Sequence, residues 1–280
     1  MSILISIIIP AYNAEKTLVR ALDSLLAQTD ERWEAVIVND GSTDDTLEIA
    51  IDYAQRDSRI RIIHQDNGGT ASALNTGVQK SSGEFIARLD ADDELSPTFI
   101  ERSTKAIMDY PGFDIYASNI VYRTAGGTES LFNQGERFAA PMALALSDEI
   151  DHSQIAVTAP VRRSCFDAVG GFRPHIYNED YDFWLRVLAI GARHLFIPEV
   201  LAVAHQREGQ KTADVLKMRT SDIEILSDLF ASGVLDSREA ALAKTTIARH
   251  QKNLKLRRIL YALMGPSRVE RFIARRRNVA

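Results

Sequence analysis

Between Ile3 and Leu89 short β-branched runs alternate with amphipathic ones: "ISIIIP", "EKTLVRALDSLLAQ", "EAVIVND", "DDTLEIAIDYAQ", "RIRIIHQ", "TASALNTGVQK" and "EFIARLD". The alternation predicts βαβαβαβ. Parallel neighbours need crossover connections, and crossovers cover both faces of each strand, so a mostly parallel sheet with helices on both faces is expected. Helix-start signals agree. Thr43 or Asp44 can cap the second helix, and Ser96-Pro97 opens a further one with proline in its first turn.

In an open parallel sheet, ligands bind in the crevice beyond the carboxyl ends of the strands. The polar segments fall there: "PAYN" (10–13) after the first strand, "NDGSTDD" (39–45) after the second, "QDNGG" (65–69) after the third and "DADD" (90–93) after the fourth. One rim thus collects hydroxyl, amide, glycine and carboxylate groups. "GGT" (68–70), opening a helix, fits either a phosphate cradle of backbone N–H groups or a tight turn.

After Leu95 the pattern loosens. A helix near Pro97 to Asp109 leads to a strand "FDIYASNIVY", a turn "TAGGTE" and a mixed stretch to about Ala159. "PVRRSCFDAVGGF" and "NEDYDFWLRVLAIG" then read as two helices, the second with Tyr181, Trp184, Leu185 and Leu188 at helical spacing. Beyond Thr212 the chain reads as helical throughout. The expected domains are 1–212, with halves of about 1–95 and 96–212, and a helical extension over 213–280.

Composition narrows the classes. With 280 residues, 45% hydrophobic and 25% charged, the chain can bury a sizeable core. A net charge of −5 argues against nucleic-acid binding by the molecule as a whole. A single cysteine, Cys165, excludes an internal disulfide and a thiolate zinc cluster and fits a reducing cytosol. "ILISIII" lacks the basic flank and cleavage site of a signal peptide, and "LFIPEVLAVA" is interrupted by Pro198 and Glu199, so no membrane helix is expected.

"LDADDE" (89–94) crowds carboxylates at a strand end. Crowded acids repel unless a divalent cation neutralises them, and all-oxygen ligands suit Mg²⁺ or Mn²⁺. The other reading is a helix N-terminus decorated with acids. "NED" (178–180) is open in the same way, as capping acids or as a catalytic pair.

Four segments, "SIIIPAYNAEKTLVRALDSLLAQT", "WEAVIVNDGSTDDT", "NGGTASALNTGVQKSSGEFIARLDADDELSP" and "NEDYDFWLRV", resemble the successive signatures of family 2 glycosyltransferases with the GT-A (Rossmann-like) fold, over roughly residues 3–205. The resemblance implies transfer of a sugar from a nucleotide-diphosphate sugar, usually a UDP-sugar, to an acceptor hydroxyl with inversion. Carried over by position, it implies a nucleotide site of Pro10, Tyr12, Asn13, Asp40, Gly41, Ser42, Asp90 and Ala91. Asp90 and Asp92, extended by Asp93, match the motif for Mn²⁺ or Mg²⁺, and Asp180 matches the general base with Glu179 beside it. Asp182 reads as a solvated or capping acid and Trp184 as core.

Two departures stand out. Asn39 replaces a second Asp before Asp40, keeping an acceptor without the charge. The family's Arg-x-His appears reversed in "AHQREGQKT", so His205 is carried over as a metal ligand against Arg207 or Lys211 as a partner for the leaving diphosphate. The alternative function is a catalytically silent nucleotide-sugar binding or scaffold protein. The resemblance makes a cell-surface polysaccharide, lipopolysaccharide or glycolipid the usual acceptor, with 122–159 on the acceptor side. Lys244 to Arg277 is strongly basic, which reads as peripheral contact with an anionic membrane, a solvated face or a homo-oligomer contact. The expected location is the cytoplasm, with peripheral attachment to the inner face of the membrane.

Overall fold

The computed structural model describes residues 3–134, 138–206, 214–266 and 268–269. The chain forms two compact units, one of Met1–His175 with Glu179–Glu208 and one of Ile176–Asn178 with Gly209–Ala280.

The first unit begins with the expected alternation: β1 (Ile5–Ala11), α1 (Leu18–Leu26), β2 (Trp33–Asp40), α2 (Thr46–Arg56), β3 (Ile60–Gln65), α3 (Thr70–Gln79) and β4 (Phe85–Arg88). These four strands are parallel in the order β3-β2-β1-β4. Side-chain alternation divides the core in two. Ile5, Ile7, Ile9, Ala35 and Ile37 pack on one face with Leu18, Leu22 and Leu25 of α1, while Ile8, Val36 and Val38 pack on the other with Ala73, Leu74 and Val78 of α3.

The chain continues through β5 (Glu94–Leu95), α4 (Phe99–Asp109), β6 (Ile115–Thr124), β7 (Glu129–Leu131), β8 (Met142–Leu144), α5 (Leu146–Asp151), β9 (Val161–Arg162), α6 (Arg163–Val169), α7 (Glu179–Ala189) and β10 (His194–Gln206). The sheet extends as β4-β9-β6-β10-β5, with β9 antiparallel to both neighbours and β6 parallel to β10. The expected helix "PVRRSCFDAVGGF" is therefore divided: its first residues bridge two longer strands and only Arg163–Val169 is helical. β10 absorbs Pro198 and Glu199 through register shifts between Ile197 and Ala202.

The second unit contains α8 (Val215–Ala231) and α9 (Ser237–Met264), which pack on each other. Asp236 caps α9 in a reciprocal box with Glu239. No described helix is long and apolar enough to cross a membrane.

Candidate active site

The rim loops are interlocked by short polar side chains. Asn13 adopts a positive φ of 48°. Its N–H donates to Ser42 Oγ at 3.0 Å and its Oδ1 accepts from Thr43 N–H at 2.9 Å. Ala14 N–H donates to Thr46 Oγ1 at 2.7 Å, and Asp44 accepts from the N–H groups of Glu15 and Thr46 at 3.1 Å. Gly41 has a φ of 73°, and a Cβ there would stand 2.8 Å from Asn67 N, so the second and third loops meet only through a glycine. Pro10 lies beside these loops near the end of β1, and Tyr12, 53% exposed, presents an open aromatic face.

Asp40, at the end of β2, is buried, with both carboxylate oxygens engaged. Oδ1 accepts from Gln65 Nε2 at 2.7 Å and Gly68 N–H at 2.9 Å, and Oδ2 accepts from Gly69 N–H at 2.8 Å. The two glycine N–H groups that a phosphate cradle would use are thus spent on Asp40, which favours the tight-turn reading of "GGT". Asn39 is buried beneath, its Nδ2 2.9 Å from His64 Nδ1 and its Oδ1 accepting from Ser42 N–H at 3.3 Å. An amide can serve both partners, which accounts for Asn at this position.

The acids meet at the end of β4. Asp90, Asp92 and Asp93 each bring a carboxylate oxygen within 4.8 Å of the others. Asp93 is the deepest, and burial, reinforced by the charges of Asp90 and Asp92, pushes its carboxyl up to about 8. Three converging carboxylates, whose mutual repulsion a cation would relieve, fit a divalent cation. His205 stands differently. Its backbone N–H donates to Asp93 Oδ1 at 2.9 Å, and its Nε2 pairs with Glu94. The Arg20 guanidinium reaches the backbone carbonyl of Asp92, its Nε lies 3.6 Å from Glu94, and Arg123 lies 3.7 Å from the same carboxylate. Arg207 and Lys211 lie outside the described residues. Ala91 is buried between the acids.

Glu179 and Asp180 occupy the first turn of α7, where the helix dipole favours negative charge. Glu179 is buried and receives Arg88 Nη1 at 3.1 Å, while Arg88 Nε and Nη2 grip Asp90 at 2.6 and 3.0 Å. Arg88 therefore joins the two acidic motifs, although sequence reasoning assigned it nothing. The available signal was a cation as the last residue of an otherwise apolar strand. Tyr122 of β6 was equally unmarked; burial, then the charges of Asp180 and Asp93, push its hydroxyl up to about 12. Asp182 is fully buried rather than solvated, with its carboxylate between Arg186, whose Nε is at 2.9 Å, and Arg173, whose Nε is at 3.0 Å. Trp184 is core, packed edge-on against Phe183.

Solved structures of glycosyltransferases share this architecture. Staphylococcus aureus TarS 1-349 in complex with UDP-GlcNAc aligns with a TM-score of 0.74 at 21% identity, over 94% of this chain and 76% of that one. The mannosyltransferase PcManGT from Pyrobaculum calidifontis, in complex with GDP-Man and Mn²⁺, aligns at 0.65 and 18% identity over 99% and 80%. The fold is GT-A with added C-terminal helices. At the sequence level the family model described as Glycosyl transferase family 2 matches residues 6–170. An uncharacterized glycosyltransferase of Haemophilus influenzae is 31% identical over 226 residues, 76% of this chain and 68% of that protein. The uncharacterized glycosyltransferase EpsJ of Bacillus subtilis is 44% identical over 125 residues, 43% of this chain. The chain belongs to glycosyl transferase family 2. Its matches span about a third of the length of EpsJ and of a Rickettsia felis relative, at 36% and 35%.

Proposed function

We propose that the protein transfers a sugar from a nucleotide-diphosphate sugar, with UDP-sugar as first candidate, to an acceptor hydroxyl with inversion. The observation that carries this is that one partly buried arginine at the carboxyl end of β4 joins the Asp90–Asp92–Asp93 carboxylates, through Asp90, to Glu179 and its neighbour Asp180. Pro10, Tyr12, Asn13, Asp40, Gly41, Ser42, Asp90 and Ala91 form the nucleotide side. Tyr12 offers a face for the base, and Asp40 fixes the loop that shapes the pocket. Asp90, Asp92 and Asp93 would hold Mn²⁺ or Mg²⁺, with His205 at the edge of that group. A bound cation would offset the charge that gathers on the leaving diphosphate.

Asp180 takes the proton of the acceptor hydroxyl as its oxygen bonds to the anomeric carbon. The bond from that carbon to the diphosphate oxygen breaks, and its electron pair leaves with the diphosphate. Attack opposite the leaving group inverts the centre. Support for a nucleotide-sugar donor and a divalent cation comes from TarS with UDP-GlcNAc, PcManGT with GDP-Man and Mn²⁺, and the three-carboxylate group here. Calorimetric titration with UDP, GDP, dTDP and CDP, each with and without Mn²⁺, tests the reading. One nucleotide is expected to bind, and only with metal; binding of none would favour the silent scaffold. Chelation should abolish transfer and Mn²⁺ or Mg²⁺ restore it.

A glycan or glycolipid acceptor, reached by peripheral contact with an anionic membrane, is the second part of the proposal. An ordinary surface helix has one apolar face. α9 has two. Ala243, Thr246, His250 and Leu254 are buried, while Leu256, Ile259 and Leu263 form an exposed row at i, i+3 and i+7, with Leu263 76% exposed. Exposed Lys252, Lys255 and Arg258 flank that row, and no acid occurs between Ala240 and Met264. Apolar insertion combined with positive charge matches an anionic bilayer surface. Sedimentation should show binding to vesicles containing phosphatidylglycerol and little to phosphatidylcholine alone, with Ile259→Glu/Leu263→Glu abolishing it. Unchanged vesicle binding, or a dimer that this variant dissolves, would overturn the membrane assignment.

A further inference from the structure

Arg88 ends β4 with its side chain 14% exposed. One partner is local, Asp90 in the loop just after β4, and the other distant, Glu179 in the first turn of α7, 91 residues away. Burial opposes its charge and the carboxylates of Asp90 and Glu179 outweigh that, so Arg88 remains a cation. The guanidinium is a rigid planar fork. Two of its nitrogens lie on Asp90 and the third on Glu179, so movement of either acid reorients the group held by the other. A carboxylate oxygen carries two lone pairs, which lets Asp90 keep Arg88 while turning a second lone pair elsewhere.

The geometry points to Arg88 as a positioning residue that couples the two sides of the site. It orients Asp90 for the donor and Glu179, with its neighbour Asp180, for the acceptor. The inference rests on the donor reading above. It predicts reciprocity: a change at Glu179, on the acceptor side, is felt in donor binding, and the signal requires Arg88. With Glu179 neutralised, the guanidinium loses the charged anchor that fixes its plane, and Asp90 loses its set orientation with it. Mn²⁺ with UDP then binds less tightly. A lysine cannot take this role, because one ammonium cannot hold both carboxylates in a fixed relative geometry.

The test is calorimetry of UDP with Mn²⁺ on the full chain of wild type, Glu179→Gln, Arg88→Met and the double variant. Glu179→Gln is expected to weaken binding by about tenfold when Arg88 is present and by less than about twofold when it is absent. A loss of the same size in both backgrounds would mean that the Glu179 charge acts directly through space, and would overturn the coupling. Arg88→Lys repeats the cycle with the positive charge retained, so the test stands even if Arg88→Met fails to fold. Full coupling in the lysine background would also overturn the inference. Absence of wild-type binding would bring down the donor reading and this inference with it; wild-type binding without coupling would bring down this inference alone.

Discussion

Replacing Asp180 by asparagine keeps the size of the side chain and removes its ability to take a proton. Transfer should then fall by about 10²- to 10⁴-fold, the usual contribution of a positioned base, while UDP-sugar affinity stays within a few fold by calorimetry. A large loss of donor affinity would place Asp180 on the donor side. At this scale the acids were legible in the sequence because carboxylates at a strand end and a helix start have a recognisable chemistry. The engagement of Asp40 was not, since its partners are backbone N–H groups of Gly68 and Gly69, and any sequence has those. Arg88 and Glu149 escaped for a related reason. A buried ionisable residue becomes informative only when its neighbours are known, and those of Glu149 lie in the loop Ser153 to Ile155, where they donate to its carboxylate.

α7 presents Asp180 on a helix held from below by Asp182. That carboxylate is fully buried and balances two guanidinia, Arg173 and Arg186, the latter also bonded to the carbonyls of Val169 and Gly171 at 2.8 and 2.7 Å. Asp182→Ala removes the carboxylate that both cations share. Removing one member of a buried ion pair costs about 3–5 kcal/mol; both arginines keep some solvent contact, so about 3 kcal/mol is expected in urea unfolding, with helix content retained in the folded protein. A loss below about 1 kcal/mol would show that water replaces the pair. The helix itself was legible, since Tyr181, Trp184, Leu185 and Leu188 recur at helical spacing and are buried. β9 was not, because two residues have no period and Val161 becomes strand only by bridging β4 and β6. β10 was hidden by Pro198 and Glu199, which a strand tolerates only where its register shifts.

The βαβ frame was legible over its first half because local alternation and parallel topology impose the same constraint. The mixed second half depends on long-range pairing that no local pattern encodes. Two buried groups with opposite shifts set how stability depends on pH. Burial, and then the Asp180 charge, raise Glu149 from 4.5 to about 8, against hydrogen bonds from Ser153 and the Gln154 and Ile155 N–H groups. Burial lowers His194 from 6.5 to about 3, the charge of Asp148 opposing. Above pH 4.5 the unfolded Glu149 loses its proton while the folded one keeps it, so stability falls as pH rises towards 8, on the order of 1.4 kcal/mol per unit. Below pH 6.5 the unfolded His194 gains a proton that the folded one refuses, so stability falls as pH drops towards 3. Between 4.5 and 6.5 the two slopes oppose each other. Asp93, raised from 3.8 to about 8, tips that balance, so thermal unfolding of the metal-free chain should show stability already falling across that interval and falling more steeply above pH 6.5. Glu149→Gln should flatten the alkaline limb and His194→Leu the acid limb. Asp93, also raised to about 8, adds to the alkaline limb in every variant and cancels in the difference between wild type and Glu149→Gln. If that difference does not change between pH 5 and 8, Glu149 is ionised in the folded protein across that range and does not set the alkaline limb.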